Sequence, residues 1–112
     1  LHLPSDRFDD VTAARGRLGP AAWLSIACHA PAEVGRAASA GANAALLSPI
    51  FQSPGKASPI GLGAITEARG LLGDRHEQFC LVALGGIDRE SAPSCLAAGA
   101  DAVASIRSGI PL

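Results

Sequence analysis

Apolar and polar positions along this chain fall in blocks rather than alternating residue by residue. Five short runs with few polar breaks read as strands: Leu1–Leu3, Ala22–Cys28, Ala44–Ile50, Phe79–Leu84 and Ala102–Ile106. The stretches between them carry helix signals. Asp10–Leu18 has Asp9 or Asp10 to cap its start, Gly19 to close it in the left-handed conformation and Pro20 to block continuation. Pro31–Ala40 opens on Pro, holds Glu33 in its first turn and ends at Gly41. Leu62–Leu72 places Leu62, Ile65 and Leu72 near one face and stops at Gly73. Asp88–Ala98 has Asp88 as its cap and Gly99 as its stop. Phe51–Gly61, FQSPGKASPIG, is too rich in Pro, Gly and Ser for either element and reads as a long loop.

Strands without polar alternation are those of a parallel sheet buried on both faces, and regular strand–helix succession points the same way. An internal echo supports this. Ala40-Gly41-Ala42-Asn43-Ala44 and Ala98-Gly99-Ala100-Asp101-Ala102 each follow a helix and lead into a strand. Gly takes the turn, Ala permits close packing, and Asn or Asp bonds the turn backbone. Such units fit a (β/α) barrel or an open doubly wound sheet. A barrel needs eight strands and typically about 250 residues. Five strands, the first incomplete, make this chain about half of one.

The 112 residues are 48% hydrophobic and 17% charged, enough apolar content for one small core and too much for disorder. A net charge of −1 argues against a nucleic-acid partner, because neutralising phosphates takes an excess of Lys and Arg. No run approaches the roughly 20 apolar residues of a spanning helix, and no secretory leader opens the chain. The sequence has no Met and begins inside a strand-like run, so it reads as a piece of something longer. Cys28, Cys80 and Cys95 are odd in number and lack C-x-x-C spacing. They form no disulfide framework or zinc motif, which fits a reducing cytoplasm.

In parallel α/β folds, ligands sit at the carboxyl ends of strands. Those ends here are Cys28-His29, Ser48-Pro49-Ile50-Phe51 with its loop, Gly85-Gly86, and Ile106-Arg107-Ser108-Gly109. Together they offer a His, a Lys, an Arg, hydroxyls and bare backbone amides, a set suited to a phosphorylated ligand. Gly85-Gly86 lets backbone approach a ligand and leads into a helix whose first amides face an anion, or it is a plain tight turn. Arg107 clamps phosphate beside Ser108, or is a solvated surface residue. Lys56 is outside any Walker A pattern, since Gly55-Lys56 runs into Ala57. His29 exchanges protons near neutral pH, or is satisfied by a neighbouring carbonyl. Cys28 has no evident base beside it and reads as an inert buried thiol. His2 reads as packed and hydrogen-bonded, and His76 as solvated.

In order, these segments resemble the thiamine phosphate synthase/TenI family. Leu1-His2-Leu3 is like the family's V-H-L/I strand, and His29 ends a strand as in S-x-H. Ala40-Gly41-Ala42-Asn43 resembles A-G-A-D, and Ser48-Pro49-Ile50-Phe51-Gln52-Ser53-Pro54-Gly55-Lys56 resembles G-P-I-F-x-T-x-T-K. Ala83-Leu84-Gly85-Gly86-Ile87 resembles A-I-G-G-I, and Gly99-Ala100-Asp101-Ala102-Val103-Ala104 resembles G-A-D-G-V-A. The resemblance implies a (β/α)8 barrel, with residues 1–112 as a partial barrel domain covering about strands 4 to 8 and lacking the N-terminal half.

It further implies thiamine biosynthesis. A synthase joins hydroxymethylpyrimidine pyrophosphate to a thiazole phosphate with Mg²⁺; a TenI relative tautomerises a thiazole carboxylate phosphate, with the strand-end His implicated. By resemblance His29 and Lys56 are catalytic. Lys56 and Ser53 face the pyrophosphate, and Gly85, Gly86, Ile106 and Arg107 face the thiazole phosphate. The family's S-x-H serine is Ala27 here, and the second Thr of T-x-T-K is Gly55. The G-Q-E-D run ending in a metal-binding Asp becomes Pro4-Ser5-Asp6-Arg7, so Asp6 is the metal candidate only after a one-residue shift. These departures tilt the reading toward a TenI-like member. The alternatives are a non-catalytic relative that binds a thiamine precursor, and a half-barrel inactive without its other half, which would self-associate.

Overall fold

A computed structural model describes residues 1–52, 58–74 and 78–104. Five strands form one sheet: β1 (His2–Leu3), β2 (Ser25–Cys28), β3 (Ala44–Leu47), β4 (Cys80–Leu84) and β5 (Ala102–Ala104). They are joined through α1 (Val11–Leu18), α2 (Pro31–Ala40), α3 (Leu62–Leu72) and α4 (Ala92–Ala98), with a 3-10 turn over Ser5–Asp10 ahead of α1. The strand order is β1-β2-β3-β4-β5, and every pairing is parallel.

That order chooses between the two architectures the sequence left open. Right-handed crossovers that always step in the same direction put every helix on one side of the sheet. A doubly wound sheet needs a reversal of strand order, and there is none among the described strands. The fold is a partial (β/α) barrel.

The two faces of the sheet differ accordingly. Ile26, Cys28, Ala45, Leu47, Leu81 and Ala83 are buried under Val34, Ala37, Ile65, Ala68 and Cys95 of the helices. Their alternates Ala27, Leu46, Val82 and Leu84 are only half-buried. Burial on both faces, expected from the apolar runs, therefore holds fully for one face and in part for the other, where Ser25 and Ala44 are buried at the strand starts. No second layer of the described chain covers the other.

Element ends differ from the sequence expectation in instructive ways. β2 begins at Ser25 rather than Ala22, and β3 stops at Leu47, before the cis Ser48–Pro49 peptide. Neither Asp9 nor Asp10 caps α1 through its side chain: the Asp10 carboxylate instead accepts a hydrogen bond from Arg7 Nε. Gly19 closes α1 with φ 83° and ψ 172°, positive in φ but extended in ψ. Gly41 takes the left-handed conformation after α2, as expected.

The Ala-Gly-Ala-Asn/Asp echo is a matched pair of latches. Arg15 of α1 donates to the carbonyls of Gly41, Gly19 and Ala22 and to Asn43 Oδ1. Asn43 Oδ1 also accepts the Leu24 amide at 2.7 Å. Arg69 of α3 donates to the Gly99 carbonyl and to Asp101 Oδ2, which also accepts the Leu81 amide at 2.8 Å. Each Arg thus ties a helix to the turn entering the second strand that follows it, and that turn holds the strand between. A Cβ on Gly41 would lie 3.0 Å from Arg15 Cγ, and one on Gly99 would lie 3.1 Å from Arg69 Cβ. Glycine in these turns makes room for the guanidinium stem. The latches lie near the strand starts, at the end opposite the carboxyl ends of the strands.

Candidate active site

Parallel strands bring their carboxyl ends to one edge, and hydrogen bonds stitch that edge together. β1 runs through Pro4 into the 3-10 turn, whose first residue is Ser5. Ser5 Oγ lies 3.1 Å from His29 Nε2, at the end of β2. His29 Nδ1 lies 2.9 Å from the Ser48 carbonyl oxygen, at the end of β3. The loop after β3 then crosses to β4, where Ile50 N donates to the Leu84 carbonyl and Phe51 N to that of Gly85, each at 3.0 Å. The chain leaving this loop returns to its base, with Ile60 N on the Pro49 carbonyl and Gly61 N on that of Ile50.

His29 has a defined ring orientation. A carbonyl oxygen only accepts, so Nδ1 carries the proton facing Ser48. In the neutral ring Nε2 is then an acceptor, pointed at Ser5. The backbone amide of His29 donates to Glu33 Oε1 at 2.7 Å, which ties the residue to the first turn of α2. One of the two sequence readings of His29 is met, since one ring nitrogen is satisfied by a carbonyl; the other nitrogen faces the Ser5 hydroxyl.

Gly85 and Gly86 have φ values of 107° and 64°. Close packing requires them as much as their conformation does. A Cβ at Gly85 would lie 2.6 Å from Pro49 Cα, and one at Gly86 would lie 2.6 Å from the Gln52 carbonyl oxygen. The chain that presses on these glycines is the loop after β3. With the Leu84 and Gly85 carbonyls occupied, amides are what this turn has to offer a ligand.

The helix expected to begin at Asp88 begins at Ala92 and has seven residues. Asp88 instead organises a reciprocal turn. Its Oδ1 accepts the Glu90 and Ser91 amides at 3.0 and 2.9 Å, while its own amide donates to Ser91 Oγ at 3.0 Å. Bonds from Ser91 and Glu90 hold the Asp88 carboxyl below the usual carboxylate range. The amides expected to greet an anion at this helix start are taken by a carboxylate of the chain itself. Any anion binding here falls to Gly85 and Gly86.

Cys28 lies beside His29 in sequence but beneath it in the fold. Burial, and secondarily the Glu33 carboxylate, push its thiol up to about 12, so it is not a nucleophile. His2 Nδ1 lies 2.8 Å from Ser25 Oγ, hydrogen-bonded as the sequence suggested but exposed rather than packed. Asp6 is exposed on the 3-10 turn, with Arg7 beside it. Among the described residues, no three His, Cys, Asp or Glu side chains converge to hold a metal. Ser53, Lys56, Ile106, Arg107 and His76 lie outside the described residues.

The sequence profile of thiamine monophosphate synthase matches residues 1–108. The chain belongs to the thiamine monophosphate synthase/TenI family. Relatives agree. It is 35% identical to the thiamine-phosphate synthase of Agrobacterium fabrum over 95% of its length and 49% of that protein's. It is 37% identical to the thiamine-phosphate synthase of Synechococcus sp. over 95% of its length and 29% of that protein's. The chain thus spans half or less of these family members. Among solved structures, a thiamine phosphate pyrophosphorylase from Pyrococcus furiosus superposes with a TM-score of 0.73 at 21% identity. That match covers 94% of this chain and 47% of that one, so the shared fold is about half of the larger chain.

Sequence reasoning missed Ser5, the Ser48 carbonyl and the two latch arginines. The arginines had a signal. Thr12-Ala13-Ala14-Arg15-Gly16-Arg17-Leu18-Gly19 and Thr66-Glu67-Ala68-Arg69-Gly70-Leu71-Leu72-Gly73 are a second echo, T-x-A-R-G-x-L-G, matching the first. Ser5 had none, because its meeting with His29 spans 24 residues and depends on the 3-10 turn.

Proposed function

We propose that this chain supplies the thiazole-phosphate side of a thiamine biosynthetic barrel, with His29 as its acid–base group. The reaction is coupling of the thiazole phosphate to hydroxymethylpyrimidine pyrophosphate, as the names of the curated relatives favour. The observation that carries the reading is the His29 ring, held by the Ser48 carbonyl with Nε2 on the strand-end edge. On this reading the amides of Gly85 and Gly86, with Ile106 and Arg107, receive the thiazole phosphate. Ser53 and Lys56 receive the pyrophosphate. Mg²⁺ would neutralise that pyrophosphate in the coupling reaction. The partners are small phosphorylated molecules, and the compartment is the cytoplasm.

One observation favours a second reading, thiazole tautomerisation. Arg7 stands where the synthase pattern has its metal-binding Asp, and it pairs with Asp10. A full-length protein assayed with both substrates separates the two: a synthase forms thiamine phosphate and pyrophosphate, whereas a tautomerase isomerises the thiazole carboxylate phosphate alone. In the active case His29→Asn lowers kcat by about a hundredfold or more. A protein that binds the thiazole phosphate but turns over neither substrate is the non-catalytic relative.

A further inference from the structure

The family resemblance assigns no role to Ser5, yet Ser5 is the side chain His29 Nε2 actually meets. The Ser48 carbonyl accepts from Nδ1 at 2.9 Å, which leaves Nε2 as the acceptor in the neutral ring. The Ser5 hydroxyl at 3.1 Å is therefore the donor. Hydroxyl, imidazole and carbonyl stand in the order along which a proton moves from the hydroxyl onto the ring. The Ser48 carbonyl then faces the imidazolium that forms, and the Glu33 carboxylate lies on the His29 backbone amide. Ser5 Oγ keeps acceptor capacity for a further partner. Its position is set by backbone: Pro4 is extended at φ −70° and ψ 165°, and Ser5 opens the 3-10 turn that follows.

We propose that Ser5 is a further catalytic residue, relaying the proton between His29 Nε2 and an acidic position of a phosphorylated heteroaromatic ligand on the strand-end rim. The ligand's proton passes to Ser5 Oγ as the Ser5 hydroxyl proton passes to Nε2. The reverse pair of transfers returns it to another position of the same ligand, so the relay serves isomerisation of the thiazole; alkylation of the ring nitrogen in the coupling releases no proton for it to carry. No electrons are exchanged and no bond to Ser5 carbon is made. This rests on the reading of His29 as the acid–base group.

The test uses Ser5→Ala, Ser5→Thr and His29→Asn in the full-length protein, with steady-state kinetics and ¹⁵N NMR of the imidazole. Ser5→Ala is expected to lower kcat by about ten- to a hundredfold, with KM for the thiazole phosphate within about twofold, and Ser5→Thr is expected to restore most of it. The His29 ring is expected as the Nδ1–H tautomer in wild type and in Ser5→Ala, with the Nε2 resonance moving when the hydroxyl is removed. Full kcat in Ser5→Ala alongside a crippled His29→Asn overturns the relay and leaves the reading of His29 intact. Full activity in both overturns that reading as well. Failure of Ser5→Thr to rescue overturns the relay in favour of packing. An Nε2–H tautomer, or an Nε2 resonance indifferent to Ser5→Ala, overturns it even for a chain that only binds ligand.

Discussion

At the residue scale, apparently similar glycines do different work. Gly85 and Gly86 combine positive φ with backbone pressed against the missing Cβ. Gly70, exposed in α3, has nothing within 4 Å of that position. Gly86→Ala should therefore cost about 2 kcal/mol or more, whereas Gly70→Ala should gain about 0.5–1 kcal/mol. Urea unfolding midpoints of the two variants, moving in opposite directions from wild type, check this. The buried thiol gives a pH dependence of definite sign. The Cys28 thiol titrates at about 12 in the folded chain against an ordinary value of 9.0, so the folded state holds the proton longer. Stability is full below about pH 9 and falls as the pH rises toward 12. Burial raises Cys80 and Cys95 in the same direction. Cys28→Ala should flatten this alkaline decline, and Cys28 should resist alkylation at about pH 8 until the chain is unfolded.

At the element scale, the strands and helices were legible because the apolar runs and glycine stops of a parallel α/β chain are local features. Pro31 and Gly41 bracket α2 as its sequence implied. Terminal residues were less legible where polar side chains had competing partners. Asp10 turned to Arg7, and Asp88 built a turn four residues ahead of α4. The strand ends themselves were legible as a set, since the order of strands and helices along the chain decides which residues lie there. The bonds joining those ends were not, because His29 to Ser5 and Gly85 to Pro49 are long-range meetings. The latches carry the clearest prediction at this scale. Arg15→Ala removes bonds from a guanidinium to three carbonyls and Asn43, and should cost about 2–3 kcal/mol. Exposed Arg7→Ala should cost about 1 kcal/mol or less, because its pair with Asp10 is at the surface. Equal losses in thermal or urea unfolding would refute the latch.

At the scale of the whole molecule, helices cover one face of the sheet among the described residues, while Ala27, Leu46, Val82 and Leu84 are only half-buried on the other. The chain also spans about half the length of the Agrobacterium relative. A sheet with open edges and an apolar face seeks a partner. Residues 1–112 expressed alone should self-associate or aggregate in light scattering, and a monodisperse, cooperatively melting monomer would contradict this. The central claim is that the strand-end rim from Ser5 to Gly86 receives a phosphorylated thiazole. Its most direct test is a ¹⁵N-amide NMR titration of the full-length protein with the thiazole phosphate. Shifts concentrated at His29, Phe51, Gly85 and Gly86, and weaker with the unphosphorylated thiazole, are the result predicted here. Shifts confined to the latch end at Gly41 and Gly99, or none with saturating ligand, would contradict it.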